Sequence, residues 1–157
     1  MTWRPDLTVA AIVQRDDGRF LMVEERIGDA IVFNQPAGHV EDGESIITAV
    51  VRETLEETAW QMQPRHLIGL YLWRNPGNGR STLRIAISGD VHAHEAARRL
   101  DHGILAAHWM TREALLAQPH RLRSPMVLRC IDDYLAGKRF ALDALTHMAL
   151  QPVAQSA

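Results

Sequence analysis

The chain has 157 residues with 17 Lys and Arg against 19 Asp and Glu, a net charge of −2. This length suits one domain with a single core, and the lack of a broad basic field argues against binding to nucleic acid polymers. The sequence contains no apolar run long enough to predict a membrane span or a secretion signal. We therefore expect a cytoplasmic protein with no membrane partner, either a monomer or a small homo-oligomer.

The first segments of the chain are predicted to be strands. Leu7 to Gln14 is rich in β-branched and apolar residues, and Asp16-Asp17-Gly18 predicts a turn into a second strand from Phe20 to Arg26. These two strands are expected to form a hairpin in the middle of a sheet. Asn34 to Gly38 is a short extended piece that breaks into a loop, and Gly43 then allows entry to a helix.

The helix after Gly43 carries a cluster of carboxylates. A helix advances about 100° per residue, so Glu56 and Glu57 lie about 60° and 40° to either side of Glu53. These three side chains share one face. The opposite face carries an apolar stripe that is expected to pack on the sheet, formed by Ile47, Val51 and Leu55.

The close spacing of these carboxylates favours a metal site. Like charges this near on a helix cost about 0.2 to 0.5 kcal/mol per pair, and the only basic residue nearby is Arg52. A cation between the carboxylates would relieve the repulsion, and oxygen ligands favour Mg²⁺ or Mn²⁺ over zinc. From the helix alone, a solvated charged face is an equal alternative.

The second half of the chain alternates strands with helices. His66 to Arg74 and Ser81 to Val91 predict a strand pair around the glycine-rich turn 75–79, and Ala106 to Met110 predicts another strand. Two helices are expected after it: one from Arg112 to about Gln118, capped by Thr111, and one opened by Ser124 and Pro125 that runs to Ala136.

This order of elements predicts an α/β fold in which a mixed β-sheet is covered on both faces. No repeat or long linker divides the chain. A single domain is therefore expected over residues 1–150, followed by a disordered tail over residues 151–157.

The spacing around the carboxylate helix resembles the signature of the Nudix hydrolases, which cleave nucleoside diphosphates linked to another group. From Gly38, five residues lead to Glu44, seven more lead to Arg52-Glu53, and Glu56-Glu57 follow after two. Every charged position of the signature matches. The resemblance implies the Nudix fold, an α/β/α sandwich, and it extends to Asn34–Glu41, Trp73 and Leu122–Pro125, which look like a bacterial phosphatase branch of the family.

Two positions depart from the signature. Thr54 stands where an apolar residue is usual, and Ala59 stands where a second glycine is usual. Ala59 matters if the helix ends in a left-handed conformation, which costs a non-glycine residue about 1 to 2 kcal/mol.

The resemblance and the demands of pyrophosphate chemistry assign roles to the acidic residues. Glu56 and Glu57 are expected to bind the metal, with Glu53 and the backbone carbonyl of Ala37 completing the site. Glu53 is expected to take the proton from water, with Glu57 as the rival. Other conceivable bases lie outside the helix, namely Asp101 and Glu95. Arg52 and Glu44 are interpreted as an orienting ion pair.

Substrate contacts are expected from residues around this helix. Gly38 and His39 lie in the loop before it, and Trp73 could stack a ring. Arg26 could meet a phosphate, as could two further arginines for which a solvated edge position is the main alternative, Arg74 and Arg84.

The predicted activity is Mg²⁺-dependent hydrolysis of small phosphorylated molecules. The resemblance implies nucleoside di- and triphosphates with release of orthophosphate, and also a thiamine-pathway (hydroxymethylpyrimidine) pyrophosphate. The alternatives are a nucleotide sugar or a dinucleoside polyphosphate as substrate, or a Nudix-fold ligand sensor without turnover. Such sensors typically lose glutamates of the signature, and all of them are present here.

Overall fold

The computed structural model describes residues 2–149, so the tail predicted to be disordered lies outside the described residues. In chain order the strands and helices are β1 (Asp6–Ile12), β2 (Phe20–Ile27), β3 (Ala30–Asn34), β4 (Ala37–His39), α1 (Ile46–Thr58), β5 (Gln61–Arg74), β6 (Ser81–His92), β7 (Ile104–Met110), α2 (Arg112–Leu116) and α3 (Met126–Leu135). None of the helices within residues 2–149 has the length and apolar character needed to cross a membrane.

The strands form two hydrogen-bonded sheets. In the first, with the order β4-β1-β6-β5, β1 runs parallel to β6, while the other pairs are antiparallel. The second sheet, β3-β2-β7, is antiparallel throughout. The predicted α/β fold with a mixed sheet is confirmed, and the predicted pair β5 and β6 is present.

β1 and β2 do not form the predicted hairpin, although the predicted turn between them is present. The chain reverses where Gly18 N donates to Arg15 O, at 2.9 Å, and the pairing ends at a single bridge between Gln14 and Phe20. Beyond that bridge β1 pairs with β4 and β6, and β2 pairs with β3 and β7. Turn residues dictate the local reversal, whereas these partners come from distant parts of the chain.

The first sheet separates two cores, with helices on both faces. Alternate residues of β1 point to opposite sides: Val9 and Ala11 join a cluster with Val50 of α1, while Ile12 joins a cluster with Val127 of α3. The three-layered α/β/α arrangement follows directly from this alternation. Cys130 lies in the second core as a buried free thiol.

The predicted apolar stripe of α1 is confirmed in part: Ile47 and Val51 pack against the core, but they are not the most buried residues of the helix. The residues that the sheet buries are Ala49, Val50, Glu53, Thr54, Glu57 and Thr58, whereas Ile47, Val51 and Leu55 are only half-buried. Two carboxylates of the cluster therefore face inward with the core side of the helix. This exception to ordinary amphipathic patterning is possible because a cavity and specific hydrogen bonds receive them, as described below.

Thr54 replaces the usual apolar residue without leaving a buried polar atom unsatisfied. Its side chain is fully buried, and its hydroxyl donates to the carbonyl oxygen of Val50, 2.7 Å away. A threonine in a helix often satisfies its hydroxyl in this way.

Ala59 adopts the left-handed conformation that its position in the signature suggested. Its φ is 61° and its ψ is 12°, and its N–H donates to Leu55 O at 2.9 Å. The residue is also buried, at 3% exposure. α1 therefore ends in a conformation that glycine adopts without a steric penalty.

We expect Ala59→Gly to raise the free energy of unfolding by up to about 1 kcal/mol. The left-handed penalty of about 1 to 2 kcal/mol is relieved and is offset in part by the greater freedom of glycine in the unfolded chain. Chemical denaturation measures the change. The matched control is Ala136→Gly, because Ala136 ends α3 with a φ of −71°; this variant should be neutral or less stable. A destabilised Ala59→Gly protein would contradict the expectation.

Candidate active site

A cavity of about 560 Å³ draws its lining from both sheets, from α1 and from the start of α3. The carboxylates of α1 lie in its wall together with Ala37, Gly38 and His39 of β4. β1, β5 and β6 contribute Thr8, Trp73 and Arg84, and the second sheet contributes Glu25 and Asn34. The segments that the sequence analysis singled out separately thus meet in one place.

Arg52 connects the acidic residues of this wall. Its guanidinium forms a two-pronged contact with Glu44, with Nε to Oε2 at 2.9 Å and Nη2 to Oε1 at 2.6 Å. Its Nη1 donates to Glu53 at 2.9 Å and to Glu56 at 3.1 Å, and its Nη2 also donates to His39 O at 3.0 Å. The hydrogen bonds that Arg52 donates to Glu44 raise the pKa of Arg52 most, so the guanidinium is a permanent cation.

Glu53 and Glu57 are buried carboxylates, 7% and 6% exposed. Burial raises the pKa of Glu53, against the opposing hydrogen bond from Arg52. Burial likewise raises the pKa of Glu57 to about 9, although the Ala37 N–H, which donates to its Oε2 at 2.9 Å, opposes the shift. Both shifts have the same cause: the charged carboxylate has lost water without gaining a full counter-charge.

The donor chemistry of this wall fits a hard divalent cation. Glu53, Glu56 and Glu57 offer only carboxylate oxygens, the atoms that Mg²⁺ and Mn²⁺ prefer, and a bound cation would offset the burial of two of them. Arg52 Nη1 lies between Glu53 and Glu56. Across residues 2–149, no three Asp, Glu, His or Cys side chains are already arranged as a complete set of metal ligands.

Gly38 lies against the Glu53 side chain of α1 with no room for a side chain of its own. A Cβ built at this position would overlap the carboxylate group of Glu53. Glycine at this position therefore leaves the Glu53 carboxylate its place against β4, and a side chain here would displace that carboxylate. This gives a physical reason for the first glycine of the signature.

We expect Gly38→Ala to lower kcat by about tenfold or more, because displacing a catalytic group by about 1 Å can cost up to a hundredfold in rate. Steady-state kinetics on any accepted substrate measures the effect, and circular dichroism verifies the fold. The control is Gly28→Ala, since Gly28 has a φ of 58° but no atom within 4 Å of an added Cβ; it should cost stability and not rate. Equal losses of kcat in both variants would rule out a specific role for Gly38.

Arg84 lies inside the cavity, so the alternative prediction of a solvated edge position is wrong for this residue. The residue is 4% exposed. Its Nη1 donates to Gln35 Oε1 at 2.8 Å and its Nη2 to Asn34 Oδ1 at 3.0 Å. Arg74 and Arg26 are both exposed, and neither is among the residues that line the cavity.

The remaining predicted residues divide between the cavity and the surface. Trp73 lines the cavity and is half-buried, and His39 lines it with its side chain 69% exposed. Asp101 also lines it, held where its N–H donates to Glu56 O at 2.9 Å. Glu95 lies outside the lining and pairs with Arg98 at 3.0 Å.

The sequence pattern did not single out several residues of the cavity, including Thr8, Glu25 and Thr82. One signal was present for Glu25. Glu24 and Glu25 are consecutive in β2, the central strand of its sheet, and neighbouring residues of a strand point to opposite faces. One of the two carboxylates therefore has to face inward.

Comparison with known proteins places this chain among phosphate-bond hydrolases. The family model described as NUDIX domain matches residues 4–129. Phosphatase NudJ of Escherichia coli strain K12 is 35% identical over 143 residues, which cover 91% of this chain and 92% of that protein.

Solved structures agree with this placement. A NUDIX hydrolase from Nitrosomonas europaea superposes with a TM-score of 0.90 at 45% identity, covering 92% of this chain and 98% of that one. A MutT protein from Methanosarcina mazei Go1 superposes with a TM-score of 0.65 at 23% identity, covering 88% and 99% of the two chains, and shares the fold.

Proposed function

Because this chain belongs to the Nudix hydrolase family, whose members hydrolyse phosphorus-containing anhydrides, we propose that it is a Mg²⁺-dependent hydrolase of nucleoside di- and triphosphates that releases orthophosphate. A thiamine-pathway (hydroxymethylpyrimidine) pyrophosphate is a second proposed substrate. One observation carries the proposal: a single cavity holds the carboxylates of α1 together with the buried cation of Arg84 and the ring of Trp73. Such a cavity has room for both a phosphate chain and the group attached to it.

The carboxylates of α1 are the proposed metal ligands. Glu53, Glu56 and Glu57 would hold the cation, and Ala37 would add its backbone oxygen. When bound, the cation neutralises charge on the phosphate oxygens and makes a coordinated water more acidic. The buried positions of Glu53 and Glu57 support this role, since carboxylates with little solvent gain most from a nearby cation.

Glu53 is the proposed base that removes the proton from the attacking water, with Glu57 as the rival. Its carboxylate is positioned between Gly38 and the guanidinium of Arg52, so its orientation does not depend on the substrate. Burial keeps its affinity for a proton above that of an ordinary carboxylate, a property that suits proton transfer near neutral pH. Arg52 and Glu44 act on the reaction only by holding Glu53 and Glu56 in place.

The other side of the cavity is proposed to bind the rest of the substrate. Trp73 can stack a planar ring, which contributes about 1 to 3 kcal/mol per base in comparable sites. Gly38 and His39 line the cavity, where Gly38 can offer its backbone to the phosphate chain and His39 can donate a hydrogen bond from the rim. Arg26 has no part in this proposal because it lies outside the cavity.

The activity is tested by incubating the protein and Mg²⁺ with a panel of compounds and identifying the products. The panel contains nucleoside di- and triphosphates, the hydroxymethylpyrimidine pyrophosphate, nucleotide sugars and dinucleoside polyphosphates. We expect turnover of the first two classes with orthophosphate as a product. Preferential cleavage of nucleotide sugars or dinucleoside polyphosphates would replace the proposed substrate class, and no turnover of any compound would indicate a sensor.

We expect Glu57→Gln to reduce kcat by about a hundredfold or more, with the fold unchanged, because the change removes one ligand charge at nearly constant shape. Part of the loss should return at high Mg²⁺ concentration, and a Mg²⁺ titration of the rate measures this. The matched control is Glu95→Gln, an acid outside the cavity, which should keep full activity. Full activity of Glu57→Gln at limiting Mg²⁺ would exclude Glu57 as a ligand.

A further inference from the structure

Three buried side-chain atoms within residues 2–149 have no hydrogen-bond partner: Thr8 Oγ1, Glu25 Oε1 and Arg84 Nε. All three residues line the cavity described above. Buried polar groups in folded proteins are almost always paired, so each exception requires an explanation. Their convergence on one cavity, across β1, β2 and β6, indicates that a bound molecule completes them.

Arg84 contributes a buried cation with no carboxylate in direct contact, and the charge of Glu25 acts on it from a longer distance. A guanidinium has five N–H donors, and the two hydrogen bonds found for Arg84 go to neutral amide oxygens, those of Gln35 and Asn34. In the described part of the chain no carboxylate lies within 4.0 Å of it. Because an unpaired buried charge is costly, this side chain is prepared to donate to an acceptor that enters the cavity.

Glu25 contributes an acceptor. Its nearest cation is Arg123, whose Nε lies 3.4 Å from Glu25 Oε1 without forming a hydrogen bond. Burial raises the pKa of Glu25, and Arg123 opposes the shift only in part. A ligand that donates an N–H to Oε1 would restore the hydrogen bond that burial has removed.

The register of the first sheet places Thr8 and Arg84 beside the flat ring of Trp73. Thr8 of β1 is paired with Arg84 of β6, so their side chains are neighbours on one face. Trp73 of β5 is paired with Thr82, two residues before Arg84, and therefore faces the same side. Trp73 and Thr82 line the cavity as well. A ring stacked on Trp73 would present its edge toward the polar groups.

We propose that Thr8, Glu25 and Arg84 form a specificity subsite for a planar nitrogen heterocycle that carries an N–H or amino donor close to a carbonyl or ring-nitrogen acceptor. This inference rests on the proposed function and names the group attached to the phosphates. A second phosphate fits this place poorly, because an ionised phosphate oxygen cannot donate a hydrogen bond to Glu25 Oε1 and the carboxylate of Glu25 would repel it. A heterocycle with both kinds of group pairs with Arg84 and Glu25 together.

The test measures binding without turnover. Isothermal titration calorimetry, with chelator present to remove metal, compares the four common nucleoside monophosphates with ribose 5-phosphate, which has the sugar and phosphate but no base. Wild type should bind at least one nucleotide about tenfold more tightly than ribose 5-phosphate. Glu25→Gln and Thr8→Val, which preserve side-chain shape, should each remove most of that preference and leave ribose 5-phosphate binding within about twofold.

The matched control is Glu24→Gln. Glu24 precedes Glu25 on β2 and pairs with His108 outside the cavity, so this variant should keep the base preference of wild type. The subsite is overturned if wild type shows no preference for any base over ribose 5-phosphate, or if Glu25→Gln and Glu24→Gln weaken all compounds equally.

Kinetics separates this inference from the proposed function. If the protein hydrolyses nucleotides but Glu25→Gln leaves the ratios of kcat/KM among the bases unchanged, the function stands and the subsite is wrong. If base-selective binding depends on Glu25 but no nucleotide is hydrolysed, the subsite stands and the proposed substrates are wrong.

Discussion

The contact between Arg52 and the acids of α1 is the interaction on which the rest of the site depends. One guanidinium holds Glu44, Glu53 and Glu56 and also the backbone of β4 at His39. It thereby joins α1 to the loop in front of it. A single cation cannot balance this many carboxylates. Among residues 2–149, the hydrogen bond that Glu57 accepts comes from a backbone N–H, that of Ala37. The site is thus fixed in shape and still short of positive charge.

Burial increases the effect of this shortage of positive charge. Glu53 and Glu57 belong to the side of α1 that packs inward, where a low dielectric strengthens every electrostatic interaction. The buried carboxylates of this wall lower the stability of the folded protein. A divalent cation bound there together with a phosphate would therefore gain the most from electrostatic attraction. On another wall of the cavity the charge is reversed, because Arg84 is buried and its hydrogen bonds go to the neutral amide oxygens of Gln35 and Asn34. The two walls therefore differ in the charge that they present.

Sequence patterns were reliable where the relevant contact is local. The turn at Gly18, the cap at Thr111 and the left-handed end of α1 at Ala59 all lie where the sequence indicated, because each depends on a few consecutive residues. The pairing of β1 with β2 was wrong because strand partners are chosen by burial across the whole chain. The apolar stripe of α1 was right only in part: Ile47 and Val51 pack against the core, but the most buried face also carries Glu53 and Glu57. Amphipathic patterning assumes that buried helix positions are apolar, and these two carboxylates violate that assumption.

The sequence by itself determined the family and the acidic half of the site, because the signature residues lie on one helix and the loop before it, and their spacing is a one-dimensional property. Only the tertiary structure decided the other half. Thr8, Glu25 and Arg84 come from three strands in two sheets, and no spacing along the chain relates them. Their common feature is a buried polar atom without a partner, which exists only once the sheets have removed those atoms from water.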